Sequence, residues 1–356
     1  MPSSRNSWLP VIYQNPTTVS TTWQELSGNF SETKSEDKSI RNQISVSKSK
    51  FLTFLISTFI VAFSTIGLRY FGVFEKIELQ AFDQILRLKP KREQDTRIVV
   101  VEVTEKDIQS FPEKTLGPQS ISDSRLAKLL SKLQEYKPQA IGLDIYRDFA
   151  GTTNQSNRTR LLTELNKSNV IVVCKGSDKI VDPQGVKSPE GVPLERQGFS
   201  DAIEDPDGIF RRQILMMQQE LNSPCKTPYS LSLQLATRYL LNQNFKYHIP
   251  DDVDYIQFGS KKIKRLKPGR SGAYQGNANL GGIQILVNYR NSDFLRVSLE
   301  DVLNDNVNSE LLKDKVILIG VTANTFSDKW STPFSSAGQS YEKMPGVVIQ
   351  AHKISQ

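Results

Sequence analysis

An uninterrupted apolar stretch, FLTFLISTFIVAFSTIGL, occupies residues 51–68 of the chain. At a rise of about 1.5 Å per residue, a helix of about 20 residues spans the roughly 30 Å hydrocarbon core of a bilayer. We therefore predict one transmembrane helix over residues 51–71. A fully buried core helix is the alternative, whereas a cleaved leader of about 15–30 residues is not expected, because the preceding segment is too long. Residues suited to the membrane interfaces flank the stretch, namely Lys48, Lys50, Arg69 and Tyr70.

Residues 1–50 have a different pattern. They are rich in Ser, Thr, Asn and Gln, carry charges of both signs and show no sustained apolar period. Such a segment buries too little apolar surface to offset the entropy of ordering, so we predict a mostly disordered amino-terminal arm. Its one apolar patch, WLPVIY at residues 8–13, is either a short partner-binding motif or a part of the loose segment.

Beyond the span, apolar runs typical of buried strands alternate with helical patterns. Predicted strands occupy residues 97–103, 139–146, 169–174, 282–289 and 315–321. Predicted helices, in which apolar residues recur at helical spacing, occupy residues 124–136, 161–165, 231–241 and 298–303. Strands that are apolar throughout and separated by helices indicate an α/β domain, with a parallel or mixed sheet covered by helices on both faces.

Composition narrows the class of protein. The apolar share of 38% is enough for a core, and the net charge of +7 is spread along the chain among 38 acidic residues. Such diffuse basicity favours solubility and does not predict a nucleic-acid surface.

His248 and His352 are far apart, so we predict no His-based metal centre and no cofactor. Cys174 and Cys225 form no C-x-x-C pair, and we expect buried free thiols, with a disulfide as the alternative.

The stretch GFSDAIEDPDGIFRRQIL, residues 198–215, concentrates four acidic residues around a Pro-Asp-Gly sequence. A calcium loop is excluded, because aligning the glycine at the sixth position puts isoleucines at the first and twelfth. Residues 205–208 instead fit a turn that leads into a strand over residues 209–217, with Arg211 and Arg212 neutralising the nearby acids. A ligand-contact role stays open for Asp205, Asp207 and Arg211.

The usual catalytic motifs are missing from the sequence, so we predict no catalytic residue and no metal site. Open α/β sheets bind ligands outside the carboxyl ends of their strands. Asp144 and Arg147 follow one predicted strand, and Thr322 follows another, with Asp328 in the next segment. We take these four residues as further ligand-binding candidates. For Asp144, a local cap or ion pair is the alternative.

The segment SKKIKRLKPGRSG, residues 260–272, is strongly basic. An anion or lipid-headgroup site is one interpretation. Ile263 and Leu266, however, fit the inward side of an exposed hairpin. We therefore expect the basic side chains to form a solvated face.

Several segments in this order resemble one family: AFDQILRLKP, IVVVEVTEKDI, AIGLDIYRD, GFSDAIEDPDGIFRR, the Gly-rich approach to ILVNYR, LKDKVILIGVTA with DKWSTPF, and MPGVVIQAHKIS. Together they resemble the second type of cyclase/histidine-kinase-associated sensory extracellular domain, over residues 74–356. The resemblance implies a bacterial sensor in the inner membrane, with a single span, a cytoplasmic amino terminus and the main domain outside the cytoplasm. Basic residues before the span favour the same orientation, although others soon follow it.

In this family the PGV-x-I-x-A segment usually leads into further membrane helices and a cytoplasmic kinase or cyclase. The sequence stops at Gln356, so we expect no enzyme activity in this chain and either a truncated receptor or an accessory protein. The expected partners are the lipid bilayer, an unidentified small-molecule ligand and a membrane kinase or cyclase, in a homo- or hetero-oligomer.

Our leading hypothesis is a sensory module. A ligand at the carboxyl edge of the sheet would bias two arrangements of the membrane-proximal helices, over residues 74–88 and 346–355. A second hypothesis is a membrane-anchored hydrolase that uses Asp144, Asp205 and Asp207. A third is a structural accessory subunit of a full-length receptor.

Overall fold

The apolar runs of the sequence form strands close to the predicted positions. The computed structural model describes residues 33–110, 121–149, 154–177, 182–243, 247–248, 254–267, 271–274, 279–335 and 343–356. Its strands are β1 (Ile98–Val103), β2 (Ala140–Asp144), β3 (Val170–Cys174), β4 (Gln197–Phe199), β5 (Arg212–Met216), β6 (Tyr247–His248), β7 (Tyr255–Phe258), β8 (Lys261–Lys264), β9 (Ile283–Leu286), β10 (Leu295–Ser298), β11 (Val316–Val321), β12 (Lys329–Trp330) and β13 (Met344–Pro345).

The helices also follow the predicted apolar periodicity. They are α1 (Thr33–Tyr70), α2 (Glu75–Leu88), α3 (Glu105–Gln109), α4 (Asp123–Glu135), α5 (Gln155–Leu165), α6 (Leu231–Leu241), α7 (Leu299–Leu303) and α8 (Gly346–Ser355), with short 3-10 turns at Leu194–Arg196 and Ser309–Leu311. The four helices predicted beyond the span are therefore confirmed.

One parallel sheet organises the fold, with the strand order β10-β1-β11-β2-β3-β4. The neighbouring strands β1 and β11 pair along their whole length, from Ile98 opposite Val316 to Val103 opposite Val321. Nearly all of their side chains are buried on both faces, as parallel strands require when helices cover each side. The predicted α/β class is confirmed, and this sheet is parallel rather than mixed.

Two helical layers cover the sheet. Helices α4, α5 and α7 pack on one face, where Leu130, Leu161 and Val302 belong to the larger core cluster. Helices α6 and α8 pack on the other face, through residues such as Leu235 and Val347. The core therefore lies on both sides of the sheet, in a three-layer α/β/α arrangement.

Two glycines let the second layer lie close to the sheet. A Cβ atom at Gly142 in β2 would come within 2.4 Å of a Leu235 methyl group, and one at Gly320 in β11 would come within 2.4 Å of the Val347 Cβ atom. Helix α8 therefore begins over the carboxyl end of β11. It ends at the opposite edge of the sheet, where the Ser355 hydroxyl donates to Asp95, just before β1.

Three smaller antiparallel sheets accompany the parallel sheet in the described part of the chain: β5-β9, β6-β7-β8 and the short pair β12-β13. Strands β5 and β9 form a ribbon, with Arg212 opposite Leu286. Strands β7 and β8 form a hairpin, in which Ile263 lies opposite the buried Ile256. The lysines of β8 are exposed and Leu266 is buried, so the prediction of an exposed basic hairpin is confirmed.

The acidic stretch forms the predicted turn. The Gly208 amide donates to the Asp205 carbonyl at 2.8 Å, and Gly208 has a φ angle of +73°, a conformation that glycine adopts without strain. The following strand begins at Arg212 rather than at residue 209. The reason is that Ile209 and Phe210 pair with Ser331 instead, and the Phe210 amide donates to its carbonyl at 2.8 Å.

The chain divides into two compact units, Met1–Thr65 and Ile66–Gln356. Helix α1 contains a candidate membrane span at Lys48–Tyr70, long and apolar enough to cross a bilayer. Side chains such as Phe59 and Phe63 are 62% and 72% exposed. None of the residues in the most apolar stretch of the span is buried. A core helix would be covered by protein, so these exposures favour the membrane interpretation.

The predicted arm over residues 1–50 differs in part from the structure. Helix α1 begins at Thr33, so residues 33–50 are helical rather than disordered. The apolar span supplies the nucleus, and extending an existing helix adds one hydrogen bond for each residue fixed. Residues 1–32, including the WLPVIY patch, lie outside the described residues.

The expectation of free thiols is wrong: Cys174 and Cys225 form a disulfide, with Cα atoms 5.3 Å apart. Cys174 ends β3, and Cys225 lies in the loop before α6. The pairing of Met216 with Tyr229 closes that loop toward the end of β3. Both cysteines are buried beside Phe199 and Ile214. The sequence separation of 51 residues gave no local signal of this contact.

We predict that the Cys174→Ser/Cys225→Ser double variant loses about 4 kcal/mol of unfolding free energy, because the disulfide closes a long loop in the unfolded chain. Urea unfolding of the detergent-solubilised chain measures the loss. Dithiothreitol should lower the stability of the parent chain to that of the double variant and leave the variant unchanged. A maleimide mass tag should react only after reduction; tagging of the unreduced, denatured chain would contradict the disulfide.

Candidate functional site

A single buried guanidinium gathers the carboxylates around the acidic turn. The Arg211 side chain is fully buried and contacts Asp83 of α2 through Nε and Nη2, at 2.7 and 2.8 Å. Its Nη1 donates to Asp205 at 2.9 Å and to Asp207 at 2.8 Å, and Nη2 also donates to Asp207 at 2.7 Å. All five N–H groups of the guanidinium are thus used. No donor of Arg211 is left for a ligand.

A second arginine completes this cluster. Arg212 Nε donates to Asp205 at 2.6 Å, and its guanidinium lies 4.9 Å from the Tyr274 ring centroid. The Tyr274 hydroxyl donates to Asp205 at 2.8 Å. We call Asp83, Asp205, Asp207, Arg211 and Arg212 the arginine clamp. The clamp confirms that the two arginines neutralise the acids of the turn.

The clamp fixes α2 to the body of the domain. Leu79 of α2 packs against Tyr274 and Leu280, and Asp83 lies one turn further along the same face. Burial alone would raise the pKa of Asp207, but the hydrogen bonds and the charge of Arg211 lower it below its usual value. Asp207 is therefore held ionised as a structural partner of Arg211. Asp83 was missed from sequence, although a lone acid on the buried face of an amphipathic helix is a signal for a buried partner.

The carboxyl edge of the sheet holds a separate group of charges. Asp144 ends β2, and its charge interacts with those of Asp328 and Lys353. Burial, and next the Asp328 charge, raise the pKa of Asp144 to about 7, while Lys353 opposes the rise. Burial lowers the pKa of Lys353 to about 8. Here a carboxyl group and an amine titrate close to neutral pH.

The other carboxyl-edge candidates have local partners. Arg147 is buried and donates from Nη2 to the Ile121 carbonyl at 2.6 Å. The Thr322 amide donates to the Val103 carbonyl at 3.0 Å. Asp328 is exposed and accepts from Trp330 Nε1 at 2.8 Å. The seven candidates thus fall into the clamp, the Asp144 group and separate local contacts, and none of them lines the cavity described next.

That cavity lies at the opposite, amino edge of the sheet. Its volume of about 480 Å³ is within the range typical of small-molecule sites. Apolar side chains line much of it: Ile98 and Val316 at the starts of β1 and β11, Leu233 of α6, and Phe258 and Ile263 of the hairpin. From the sequence, ligand binding is predicted at the other edge, and that remains a prediction.

Basic side chains line the same cavity. They are Arg92, Arg97, Lys261 and Arg290, and among the described lining residues there is no Asp or Glu. Lys353 also lines the cavity, but its ammonium group lies 4.8 Å from the Phe210 ring centroid and belongs to the Asp144 group. The buried Asp95 accepts from the lining residue Arg97 at 2.6 Å and lies 3.8 Å from Arg290. Burial would raise the pKa of Asp95, but the hydrogen bonds from Arg97 and Ser355 lower it to about 2. The cavity wall therefore carries excess positive charge.

The β5–β9 ribbon connects this cavity to helices α2 and α8. Gln213 lines the cavity and donates to the side chain of Gln356, the residue after α8, at 3.1 Å. Asn288, just after β9, also lines it and accepts from Lys89, at the end of α2, at 2.9 Å. Arg211, immediately before β5, holds α2 through Asp83. One element thus contacts the cavity, the residue after α8 and, through Asn288 and Arg211, helix α2.

Metal chemistry has no support from side-chain clustering. Within the part of the chain that the structure describes, no group of three or more His, Cys, Asp and Glu residues is arranged to hold a metal ion. His352 packs edge-on against Tyr289 and Phe294, and its Nδ1 accepts from the Arg290 amide at 3.2 Å. Burial lowers the pKa of His352 to about 3. This histidine therefore anchors α8 as a neutral side chain.

Comparison with known proteins identifies the family. Residues 58–356 match the family model of the CHASE2 domain. No curated protein and no solved structure matches the chain. The match confirms the resemblance that the sequence motifs indicated.

We predict that Arg211→Met lowers the unfolding free energy by about 3–5 kcal/mol, because it leaves buried carboxylates without their partner. Urea unfolding in mild detergent measures this, and Trp330, 5.9 Å from the Phe210 ring, is a local fluorescence reporter. The matched control is Arg296→Met, whose parent residue is 39% exposed and pairs with Glu102. The control should cost about 0–1 kcal/mol. Equal losses in the two variants would refute the clamp.

We also predict a pH effect at Asp144. Its pKa is about 7 in the folded chain and about 3.9 when unfolded, so the folded state binds more protons between these values. Stability from this group is therefore lost as pH rises from about 4 to 7, with a slope of at most about 1.4 kcal/mol per pH unit. Asp144→Asn should remove this slope.

The measurement is the unfolding free energy at pH 5 and pH 7. The control variant is Asp148→Asn, which changes an exposed aspartate of the same loop and should keep the parental pH dependence. Identical pH dependence in the parent chain and in Asp144→Asn would contradict a perturbed Asp144.

Proposed function

The chain belongs to the CHASE2 domain family, the sensory extracellular domains of signalling proteins, and on this basis we propose that it is a membrane-anchored sensory module. In this proposal the folded unit lies outside the cytoplasm, binds a small molecule and passes the binding signal through its membrane-proximal helices. The observation that carries the proposal is the family match over residues 58–356, which also includes most of the candidate span. Sensing, rather than catalysis, is the activity of this family.

The disulfide supports an extracytoplasmic location. Disulfides persist in oxidising compartments and are rare in the cytosol, where thiols are kept reduced. The Cys174–Cys225 bond joins the end of a sheet strand to the loop before α6, inside the core. Its position in the folded unit, rather than in the amino-terminal segment, favours placing that unit on the outer side. The apolar surface of Lys48–Tyr70 supports a membrane anchor beside it.

The amino-edge cavity is the proposed ligand site. It takes the place of the carboxyl-edge site, because its volume and mixed lining are those of a small-molecule pocket, whereas the carboxyl-edge candidates mostly engage local partners. Asp205 and Asp207 are engaged by Arg211 and Arg212, so we do not carry the hydrolase hypothesis further. The hypothesis of a structural accessory subunit stays a prediction.

The proposed mechanism uses the ribbon. A ligand shifts a conformational equilibrium only when it binds one arrangement more tightly than the other. The cavity lining includes Gln213 of β5, Ile285 of β9 and Ser355 of α8, so a ligand there contacts the elements whose relative position would change. Helix α2 is linked to the same ribbon by the ion pair between Arg211 and Asp83. The signal would then pass to a partner in the membrane, a kinase or cyclase, within a homo- or hetero-oligomer.

Cysteine accessibility in bacterial spheroplasts tests the proposed topology. Ser39→Cys precedes the span, and Lys262→Cys lies on the exposed hairpin. A membrane-impermeant maleimide should label Lys262→Cys in intact spheroplasts and Ser39→Cys only in inverted vesicles. The parent chain should stay unlabelled, since its two cysteines are disulfide-bonded. The opposite pattern, or recovery of the chain in the soluble fraction without detergent, would overturn the proposal.

A further inference from the structure

The amino-edge cavity combines two kinds of lining that a single ligand can satisfy. Its apolar part is contributed by α6, the hairpin and the ribbon, through Leu233, Phe258, Ile263 and Ile285. Its charged part comes from the segment before β1, from β8 and from the segment after β9, through Arg92, Lys261 and Arg290. Three segments that are distant in sequence thus direct positive charge toward one apolar cavity.

Part of this charge has no acidic partner. Within the described residues, neither Arg92 nor Lys261 forms an ion pair with an Asp or Glu side chain, and Lys261 donates to the main-chain oxygen of Gln356. Arg290 donates to Ser355 and to the Glu93 carbonyl, but its Nε atom is buried without a hydrogen-bond partner in the same part of the chain. A buried donor without a partner costs free energy. An anionic ligand would remove that cost.

The electrostatics of Lys261 agree with this geometry. Burial lowers the pKa of Lys261, and the nearby charges of Arg92, Arg97 and Arg290 lower it further. Like charges held together in a partly buried site repel one another, and an anion among them would favour their charged forms. The Asp95 carboxylate beside this group accepts hydrogen bonds from Arg97 and Ser355 and lies 3.8 Å from Arg290.

We propose that the cavity binds an anionic amphiphile, with a carboxylate or phosphate headgroup between Arg92, Lys261 and Arg290 and an apolar tail against Leu233, Phe258 and Ile263. This inference rests on the proposed sensory function only for its role in signalling; the binding itself does not depend on it. A free inorganic anion would leave the apolar lining uncovered, and a neutral apolar ligand would leave the cations unpaired. The same headgroup chemistry can come from a free fatty acid or from a membrane lipid.

The basic β7–β8 hairpin thus has two roles: it presents exposed lysines to solvent and contributes Lys261 to the ligand site. Along β8 the exposed lysines differ in what they face: Lys261 lines the cavity, whereas Lys262 does not. The two residues are adjacent and of one type. They therefore provide a matched pair of positions for an experiment.

Photolabelling of the full chain in phosphatidylcholine vesicles tests the proposal. The probe is a diazirine-bearing dodecanoate, and labelled peptides are mapped by mass spectrometry. We expect labels in α6 and in the β7–β8 hairpin, with competition by dodecanoate and dodecyl phosphate but not by dodecanol or inorganic phosphate. Lys261→Ala should weaken competition by dodecanoate about tenfold, as expected when a hydrogen bond to a charged group is lost. Lys262→Ala should match the parent chain, and Lys261→Arg should restore binding.

A second experiment, in which the lipid composition of the vesicles is changed, distinguishes a membrane lipid from a free amphiphile as the source of the ligand. Adding phosphatidylglycerol to the vesicles should suppress labelling if a membrane headgroup occupies the site and leave it unchanged if the ligand is a free amphiphile; both outcomes keep the anionic headgroup. Equal competition by dodecanol, competition by inorganic phosphate alone, equal effects of the two alanine variants, or labels confined to residues 48–70 would each overturn the proposal. Correct topology with failed labelling would remove the ligand class and leave the sensory function standing.

Discussion

The buried Arg211 guanidinium is the interaction on which the periphery of the domain depends. It joins α2, the acidic turn and the start of β5, and all five of its donors are used. Taking such charges out of water is costly, and only good geometry with several hydrogen bonds offsets the cost. A partly formed clamp would leave unpaired carboxylates inside the protein. Helix α2 is therefore held in a defined position rather than by apolar contact alone.

The arginine clamp bears on the proposed function because Arg211 leads directly into the β5–β9 ribbon. Strand β5 starts at the clamp, and the ribbon ends beside Gln356 and Arg290, where α8 finishes. One side of the same ribbon lines the cavity. Helices α2 and α8 and the proposed ligand site therefore share one small element. Such an arrangement suits a sensor, because a binding event has to alter the relation between helices by differential contacts.

The sequence predicted the sheet, but it gave no indication of the amino-edge cavity. A strand buried on both faces is recognised by a continuous apolar run, as in residues 315–321, and this signal is local. Because open α/β sheets bind ligands at the carboxyl ends of their strands, we predict ligand contacts at Asp144 and Thr322. In the structure, the Thr322 amide donates to the carbonyl at the end of β1. The cavity is lined instead by residues from 92 to 356, including Arg92, Lys261 and Arg290. No spacing along the chain brings these together.

By itself, the sequence determined what depends on neighbours along the chain: the apolar span, the strands and helices, and the turn at residues 205–208 that the clamp uses. Tertiary structure alone decided the contacts between distant segments. Asp83 meets Arg211 across 128 residues, and Cys174 meets Cys225 across 51. The physical reason is that periodicity and turn chemistry act over a few residues, whereas ion pairs, disulfides and cavities depend on how packed layers bring remote side chains together.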